Sequence, residues 1–503
     1  MSNQNKTIKI WYKDGNNVTV PTLDLIINTD EKDISVMKPH ITIRTLERTE
    51  IRASSDDIVI EKITDDNNIC EIEIPQFGYW TISYNNSNGE KVETLLIDRC
   101  KEYLLDSNHI PKYGIRINKF DSNPSTRVEY IYDAEGMLPA YMDYQRGIFN
   151  YGDWGNLWFI KENKPCMLKN NGEVDYYLDP NNYNLKEDGS PSDIDNENYE
   201  GNAMSKIPLV WVNRYEDSTY QYEIISPIKV DDNYKAYAHT DKNGNIVDAF
   251  YYGMFGGSLD SNNRCRSLSN KTLIRGKTKE QEIEFCQANG EDWYSGTWSQ
   301  DALIRTLCTL ISRTTESQTV FGKGNTNSSR NKEEYLLNTG TLVDKGQFYG
   351  YMDNDHQVKV FHIEKFWGDQ WESKAGVINS NGKLYVKMTP EGEGYKIDSV
   401  DGYTDTNITL SGTNGGFISE SFCSELGLLP TKYSGSGTTY LCDGGWFNNT
   451  AGIAYFITGG RVGTNSNLSG LYSFSTNDPP NKTNWNSGVR PCIIPTKGDD
   501  NSE

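Results

Sequence analysis

Thr439-Tyr-Leu-Cys-Asp-Gly-Gly-Trp-Phe-Asn-Asn-Thr-Ala-Gly-Ile-Ala-Tyr-Phe-Ile-Thr-Gly-Gly460, continued through residues 461–494, is the stretch on which the reading of this chain turns. Four short apolar runs, at 440–442, 453–457, 471–474 and 489–494, alternate with segments of Gly, Asn, Ser and Thr. Apolar runs of this length, separated by turn-forming residues, predict successive β-strands joined by surface loops. One reading gives the Gly and Asn residues no role beyond tight turns. The other starts from length: segments 461–467 and 477–486 exceed what a turn requires, and connections of that size in a compact domain are usually functional or disordered. Loops of Asn, Ser, Gly and Tyr offer many hydrogen-bonding groups at little entropic cost, a composition suited to recognition.

Working outward, the 503 residues predict two to four domains of ~100–200 residues each. Lys and Arg number 49 against 70 Asp and Glu, a net charge of −21, which repels a phosphate backbone and an anionic membrane alike. Neither nucleic-acid binding nor membrane insertion is expected. Thirty-two tyrosines and 44 glycines, with an apolar share of only 36 %, suit a β-rich protein of short strands and extensive loops. No window resembles a membrane span, and Met1-Ser-Asn-Gln-Asn-Lys-Thr7 lacks a signal peptide's apolar core, so a soluble product of a cytoplasm is expected. Nine widely and irregularly spaced cysteines form no disulfide framework and no CxxC pair; they read as reduced and mostly buried, without structural zinc.

Residues 6–97 read as strands at 7–11, 18–20, 23–28, 41–44, 58–63, 70–74, 79–84 and 92–97, with turn signals between them. Seven or eight strands in about a hundred residues is the arithmetic of an immunoglobulin-like sandwich, placed at 1–105. Residues 101–109 read as a short helix or a linker. The aromatic and polar segment 106–205 reads as a connecting subdomain or as the leading part of the next unit, 206–495, with residues 496–503 a disordered acidic tail. The acidic run Asp193-Ile-Asp195-Asn196-Glu197 lacks the glycine and spacing of a calcium loop and reads as solvated. Two helices are expected in the C-terminal unit. Thr278 and Gln281 form a capping box ahead of Ile283, Phe285 and Cys286, closed by Gly290, and Ser299 is placed as the cap of a helix carrying Leu303, Ile304, Leu307, Leu310 and Ile311.

Catalytic signatures are missing. Five histidines stand outside any HExxH pattern, and neither GxSxG nor a P-loop occurs. No enzyme activity, cofactor or metal is expected. Paired carboxylates alone would serve a glycosidase, so a polysaccharide depolymerase stays open as the alternative function.

Several stretches carry a family resemblance: Gly459-Gly460-Arg461, Ser469-Gly470-Leu471-Tyr472-Ser473-Phe474, the 477–486 loop and Ser487-Gly488-Val489-Arg490-Pro491. Upstream, Arg266-Ser267-Leu268-Ser269, Ser317-Gln318 with Gly322-Lys323-Gly324, and the run from Ile363 to Trp371 follow in the same order. Together, over about residues 205–494, they resemble the C-type-lectin-like fold of bacteriophage receptor-binding and fibre proteins, which shares its scaffold with formylglycine-generating enzymes. Pro75-Gln-Phe-Gly-Tyr-Trp80 likewise resembles a late strand of Ig-like modules on phage structural proteins. The enzymes of this scaffold depend on two close cysteines before the Gly-Val-Arg step; here Cys492 stands alone. Asn484-Trp485-Asn486-Ser487 has no preceding Glu-Pro-Asn loop, so the calcium site of C-type lectins is not expected.

The resemblance implies a β-rich α+β chain, an Ig-like β-sandwich followed by a C-type-lectin-like domain with two helices. It implies a phage head (capsid) or tail fibre on the virion surface, made in the host cytoplasm, or a purely structural decoration protein. Expected partners are further copies of the chain as a homo-oligomer, by family habit a trimer, other virion proteins, and a host surface glycan or protein. It also places Trp367 and Trp371 in the packed core and Arg490 as a core anchor satisfying buried carbonyls. Candidate ligand-binding residues are Trp446, Asn448, Asn449, Arg461, Asn465, Asn467, Tyr472, Asn484 and Trp485. Their rings suit sugar C–H faces and their amides suit hydroxyls.

Overall fold

A computed structural model describes residues 6–10, 23–27, 40–44, 50–55, 58–65, 69–76, 78–86, 89–97, 102–106, 110–449, 452–463 and 468–496. Expectations for a strand at 18–20, for Cys100, for Asn465 and Asn467, and for residues 497–503 of the tail lie outside them. The chain divides into two compact units, Met1–Ile110 and Pro111–Glu503.

In the first unit, a three-stranded sheet sets His40–Arg44 between Ile69–Glu73 and Glu102–Asp106. A four-stranded antiparallel sheet runs Ile58–Ile63, Glu50–Ser55, Gly78–Asn86, Gly89–Ile97. Alternate residues of both sheets, Ile41, Ile43 and Ile72 from one and Ile51, Trp80 and Ile82 from the other, share one core. Strands Glu50–Ser55 and Glu102–Asp106 were not expected from sequence, and the second corrects the helix-or-linker reading of 101–109. Strand Glu50–Ser55 offers only two apolar residues, Ile51 and Ala53, and Glu102–Asp106 only a run of three, too short to separate strand from helix.

The second unit is also β-rich. Among the described residues, α-helix is confined to four spans, of which Lys279–Gln287 and Trp298–Ser312 exceed two turns and match the two expected. The first begins with the predicted Thr278–Gln281 box. The second corrects the sequence reading by one turn position: Thr297, not Ser299, is its cap, reciprocated by Gln300, because the Thr-x-x-Gln spacing satisfies two orphan amides where Ser299 offers one acceptor. Segment 111–205 is the leading part of this unit. Its strand Tyr113–Asn118 lies between Val128–Tyr132 and Tyr220–Ser226, and Lys164–Lys169 enters a seven-stranded sheet that ends in Ala249–Gly253, Pro491–Ile493 and Trp293–Ser295. A further sheet centres on Trp371–Ser380, which pairs with Lys383–Val386, Ile453–Thr458 and, in parallel, Ser487–Gly488.

Two of the four C-terminal apolar runs differ from the sequence reading. Residues 440–442 form a turn with Tyr440 and Cys442 at φ 46° and 64°, and the strand falls on Gly444–Trp446. In 471–474 only Phe474 is extended, opening strand Phe474–Asp478. Short apolar runs do not by themselves separate strand from buried turn.

The long helix Trp298–Ser312 is buried all round, including its polar stripe. Thr306 Oγ1 donates to Glu223 Oε1 at 2.5 Å, Thr309 meets the Tyr472 hydroxyl at 2.6 Å, and Asp301 binds Arg305 and Lys374. Beside it, Arg490 has no exposed surface. Its Nη1 donates to Gly253 O (2.9 Å) and its Nη2 to Glu364 O (2.7 Å) and Lys365 O (3.1 Å), as expected of a core anchor. Nη2 also meets Glu372 Oε1 at 2.6 Å, a carboxylate shared with Lys365 (3.0 Å) and, through Oε2, Lys374 (3.1 Å). Trp367 and Trp371 are buried, also as expected. The eight described cysteines are free and buried.

Burial works against ionisation of Glu372, yet Arg490, Lys365 and Lys374 together hold its carboxyl well below the ordinary range. A depressed folded value makes its contribution present above the unfolded pKa of about 4.3 and lost as pH falls through the folded value. Arg490→Met is expected to cost about 3–5 kcal/mol, since buried Glu372 loses one of its three cations and the carbonyls of Gly253, Glu364 and Lys365 lose their donors. Guanidinium chloride unfolding at neutral pH measures this, and the cost should shrink once acid has neutralised Glu372.

Candidate ligand-binding face

Strand Ile453–Thr458 ends on Gly459 and Gly460, both with positive φ (90° and 77°). A Cβ on Gly460 would stand 2.2 Å from Ser469 Oγ, so only glycine lets the chain reverse there. The reversal delivers Arg461, half-buried, whose Nη1 donates to Asn331 Oδ1 at 2.6 Å and to Val462 O at 2.7 Å. The guanidinium sits 5.6 Å from the centroid of the Trp485 ring, within cation–π range. Gly463 N donates to Asn327 O at 3.0 Å, seating this loop on residues 325–331. Trp485 is fixed through its carbonyl, which accepts from Gln370 Nε2 at 2.8 Å, and Asn484 through its amide to Asp478 Oδ2 at 3.0 Å and its carbonyl from Gly276 N at 2.8 Å.

A buried carboxylate lies beneath. Asp369 accepts from Leu337 N (3.1 Å), Gln357 Nε2 (2.7 Å) and Asn325 Nδ2 (2.5 Å), while its own carbonyl accepts from Val462 N at 3.0 Å. Burial raises its pKa, opposed by those donors. Around the rim, Arg330 pairs with Asp355 at 3.1 Å and lies 5.6 Å from the Tyr335 ring, and Arg275 pairs with Glu333 at 3.4 Å. Three arginines and two aromatic rings thus gather on one face of an acidic protein. Such a set can stack on flat or C–H-rich groups and donate to hydroxyl, carbonyl or carboxylate oxygens.

The seven sequence-predicted residues that lie among the described ones do not form one surface. Arg461, Asn484 and Trp485 belong to the face just described. Trp446 packs edge-on against Trp371 at 5.9 Å, half-buried. Asn448 and exposed Asn449 lie near Asn379 and Gly382, beyond the far end of strand Trp371–Ser380 from Trp485, with Asn448 O accepting from Asn379 Nδ2 at 2.7 Å. Tyr472 is a correction: it is 1 % exposed, its hydroxyl buried against Thr309, because 471–473 forms a turn beneath the long helix instead of a strand end. Asn331, Arg330 and Tyr335 were missed, although residues 325–331, Asn-Thr-Asn-Ser-Ser-Arg-Asn, share the composition of the 461–467 loop. Among the described residues no cluster of His, Cys, Asp and Glu could hold a metal ion, and no helix is long and apolar enough to cross a membrane.

No protein-family model and no curated protein matches the chain. Among solved structures it is similar to Major Tropism Determinant U1 Variant, at 9 % identity over 84 % of this chain and 82 % of that one, with a TM-score of 0.25. It is also similar to Major Tropism Determinant M1 Variant, at 10 % identity over 83 % of each chain and the same TM-score of 0.25. Likeness at this level establishes neither a family nor a function.

Tyr472 N donates to Asp443 Oδ2 at 2.7 Å, and burial pushes the Asp443 carboxyl up to about 8 against the opposing pull of that amide and of Arg305. A carboxyl raised above its unfolded value of about 3.9 loses stability as pH climbs between the two values. Asp443→Asn keeps an acceptor for Tyr472 N and removes the titration. It is therefore expected to match the parent near pH ~4 and to exceed it by roughly 1–3 kcal/mol at about pH 9, measured by thermal unfolding across that range.

Proposed function

We propose that this chain is a bacteriophage virion fibre that displays the Arg461, Asn331 and Trp485 face for adhesion to a host surface glycan or protein. The carrying observation is the convergence of three segments distant in sequence, at 331, 461 and 485, on one half-buried surface pinned from below by Asp369. Pinned loops lose less conformational freedom on binding, so weak contacts suffice. The motifs that carry the resemblance support the same reading by their use: Gly459-Gly460-Arg461 makes the turn that aims the face, and Arg490 anchors the core below it. In this reading the C-terminal unit is lectin-like and the N-terminal sandwich Ig-like and particle-proximal. The compact sandwich, without coiled-coil heptads or β-helix repeats in the sequence, favours a head fibre over a tail fibre. Several copies, by family habit three, multiply weak contacts into useful avidity.

Adsorption of purified protein to host cells tests the face. Asn331→Ala with Trp485→Ala is expected to abolish adsorption while leaving the chain folded, since exposed Asn331 costs roughly 0.5 kcal/mol or less and half-buried Trp485 roughly 1–3 kcal/mol. Undiminished adsorption by a folded double variant removes the face from the proposal. Cryo-electron microscopy of the particle addresses attachment: trimeric density on the capsid shell is expected, and density at the tail tip would reassign the fibre.

A further inference from the structure

We propose that the cleft beside strand Trp211–Glu216 is a second binding site, for a neutral glycan chain. The strand lies at the edge of a four-stranded antiparallel sheet. Its alternation is plain: Val212 and Arg214 point inward, Arg214 reaching Thr306 of the long helix at 2.9 Å, so Asn213 and Tyr215 point outward. Register then builds a row across the outer face, Glu129 beside Arg116, Arg116 beside Tyr222, and Tyr222 beside Tyr215. The rings of Tyr215 and Tyr222 stack at 4.5 Å with 12° between planes. Tyr222 is held by Asp217 through a 2.8 Å hydroxyl bond, and Arg116 lies over Tyr220 at 4.5 Å. The row is therefore rigid, and at its end Tyr215 remains 40 % exposed.

Tyr215 stands at the wall of an open cleft of about 680 Å³, with Asn213, Asn233, Lys235, Phe422 and Glu425 among its other lining residues. That volume falls within the ~300–1,000 Å³ of small-molecule sites. Lys235 and Glu425 face each other at 3.7 Å, so opposite charges offset across the opening. Two further carboxylates line the same cleft, Glu216 paired with Lys119 at 2.9 Å and Asp232 with Lys229 at 2.7 Å, so the opening holds no excess of positive charge for an anionic polymer. What remains is an exposed, braced ring beside two amides, the combination that meets C–H faces and hydroxyls of an uncharged sugar. Addition of a peptide strand is opposed by the edge itself. Val212 already exchanges both backbone bonds with Lys235, and at the other end the Glu216 side chain, through Oε2, accepts from Cys423 N at 2.9 Å and so seats that segment against the strand.

The site shares no residue with the Arg461 face and can fail without it. The test titrates the full chain with four uncharged hexasaccharides, maltohexaose, cellohexaose, laminarihexaose and chitohexaose, by calorimetry and saturation-transfer NMR. At least one is expected to bind, with affinity falling about tenfold in Tyr215→Ala and largely kept in Tyr215→Phe, because the ring and not the hydroxyl makes the stack. Asn213→Ala is expected to weaken the same sugar, and carries the test if Tyr215→Ala does not fold. Trp485→Ala should leave that affinity unchanged. The proposal is overturned if none of the four binds the parent chain, if binding survives Tyr215→Ala, if Trp485→Ala removes it, or if Tyr215→Ala instead changes the sedimentation coefficient, which would make this surface a contact between copies.

Discussion

The ion pair between Arg490 and Glu372 is the constraint on which the second unit depends. Arg490 stands between two short terminal strands, and its donors tie that end of the chain to the carbonyls of Gly253, Glu364 and Lys365, in segments far apart in sequence. Glu372, near the start of the central strand Trp371–Ser380, in turn holds Lys365 and Lys374. Attraction inside a protein is largely offset by the desolvation of both ions, so such a pair adds little net stability when whole. Its leverage is conditional. Remove Arg490 and the buried Glu372 keeps only its two lysines, while the carbonyls of Gly253, Glu364 and Lys365 lose their donors.

The same economy governs the long helix. Its apolar stripe follows helical spacing, but its polar stripe is buried too, and Asp301, Thr306 and Thr309 each meet a partner from elsewhere in the chain. A helix with two buried faces can be seated only where both sets are answered. That requirement fixes its rotation about its own axis more tightly than apolar contact alone, which tolerates substitution by shape.

Rigid support below explains how loops of small polar residues present a defined surface above. Asp369 and Asp443 both lie beneath loops and both spend their oxygens on backbone or amide donors of those loops. Arg275 and Arg330 are held there by Glu333 and Asp355, and Arg461 by the Asn331 amide oxygen and the Val462 carbonyl, so each guanidinium is a planar fork of donors fixed in place. The tyrosine row ending at Tyr215 is built on the opposite principle, with cross-strand stacking in place of buried carboxylates.

What the sequence by itself determined is whatever depends on neighbours within a few residues. Alternation marked most strands of the first unit, and the Thr278–Gln281 box marked a helix start. Arg490 was expected as an anchor because a rigid guanidinium can satisfy several buried carbonyls. Tertiary structure alone decided the rest. Tyr472 and Trp485 were both candidates for ligand contact, yet one is sealed beneath a helix and the other reaches Arg461. Asn331 meets Arg461 across 130 residues, and Glu372 meets Arg490 across 118. Local periodicity records which face of an element is apolar; it carries no record of what that face will meet, because the meeting is settled by the mutual satisfaction of buried charges and hydrogen bonds contributed from distant parts of the chain.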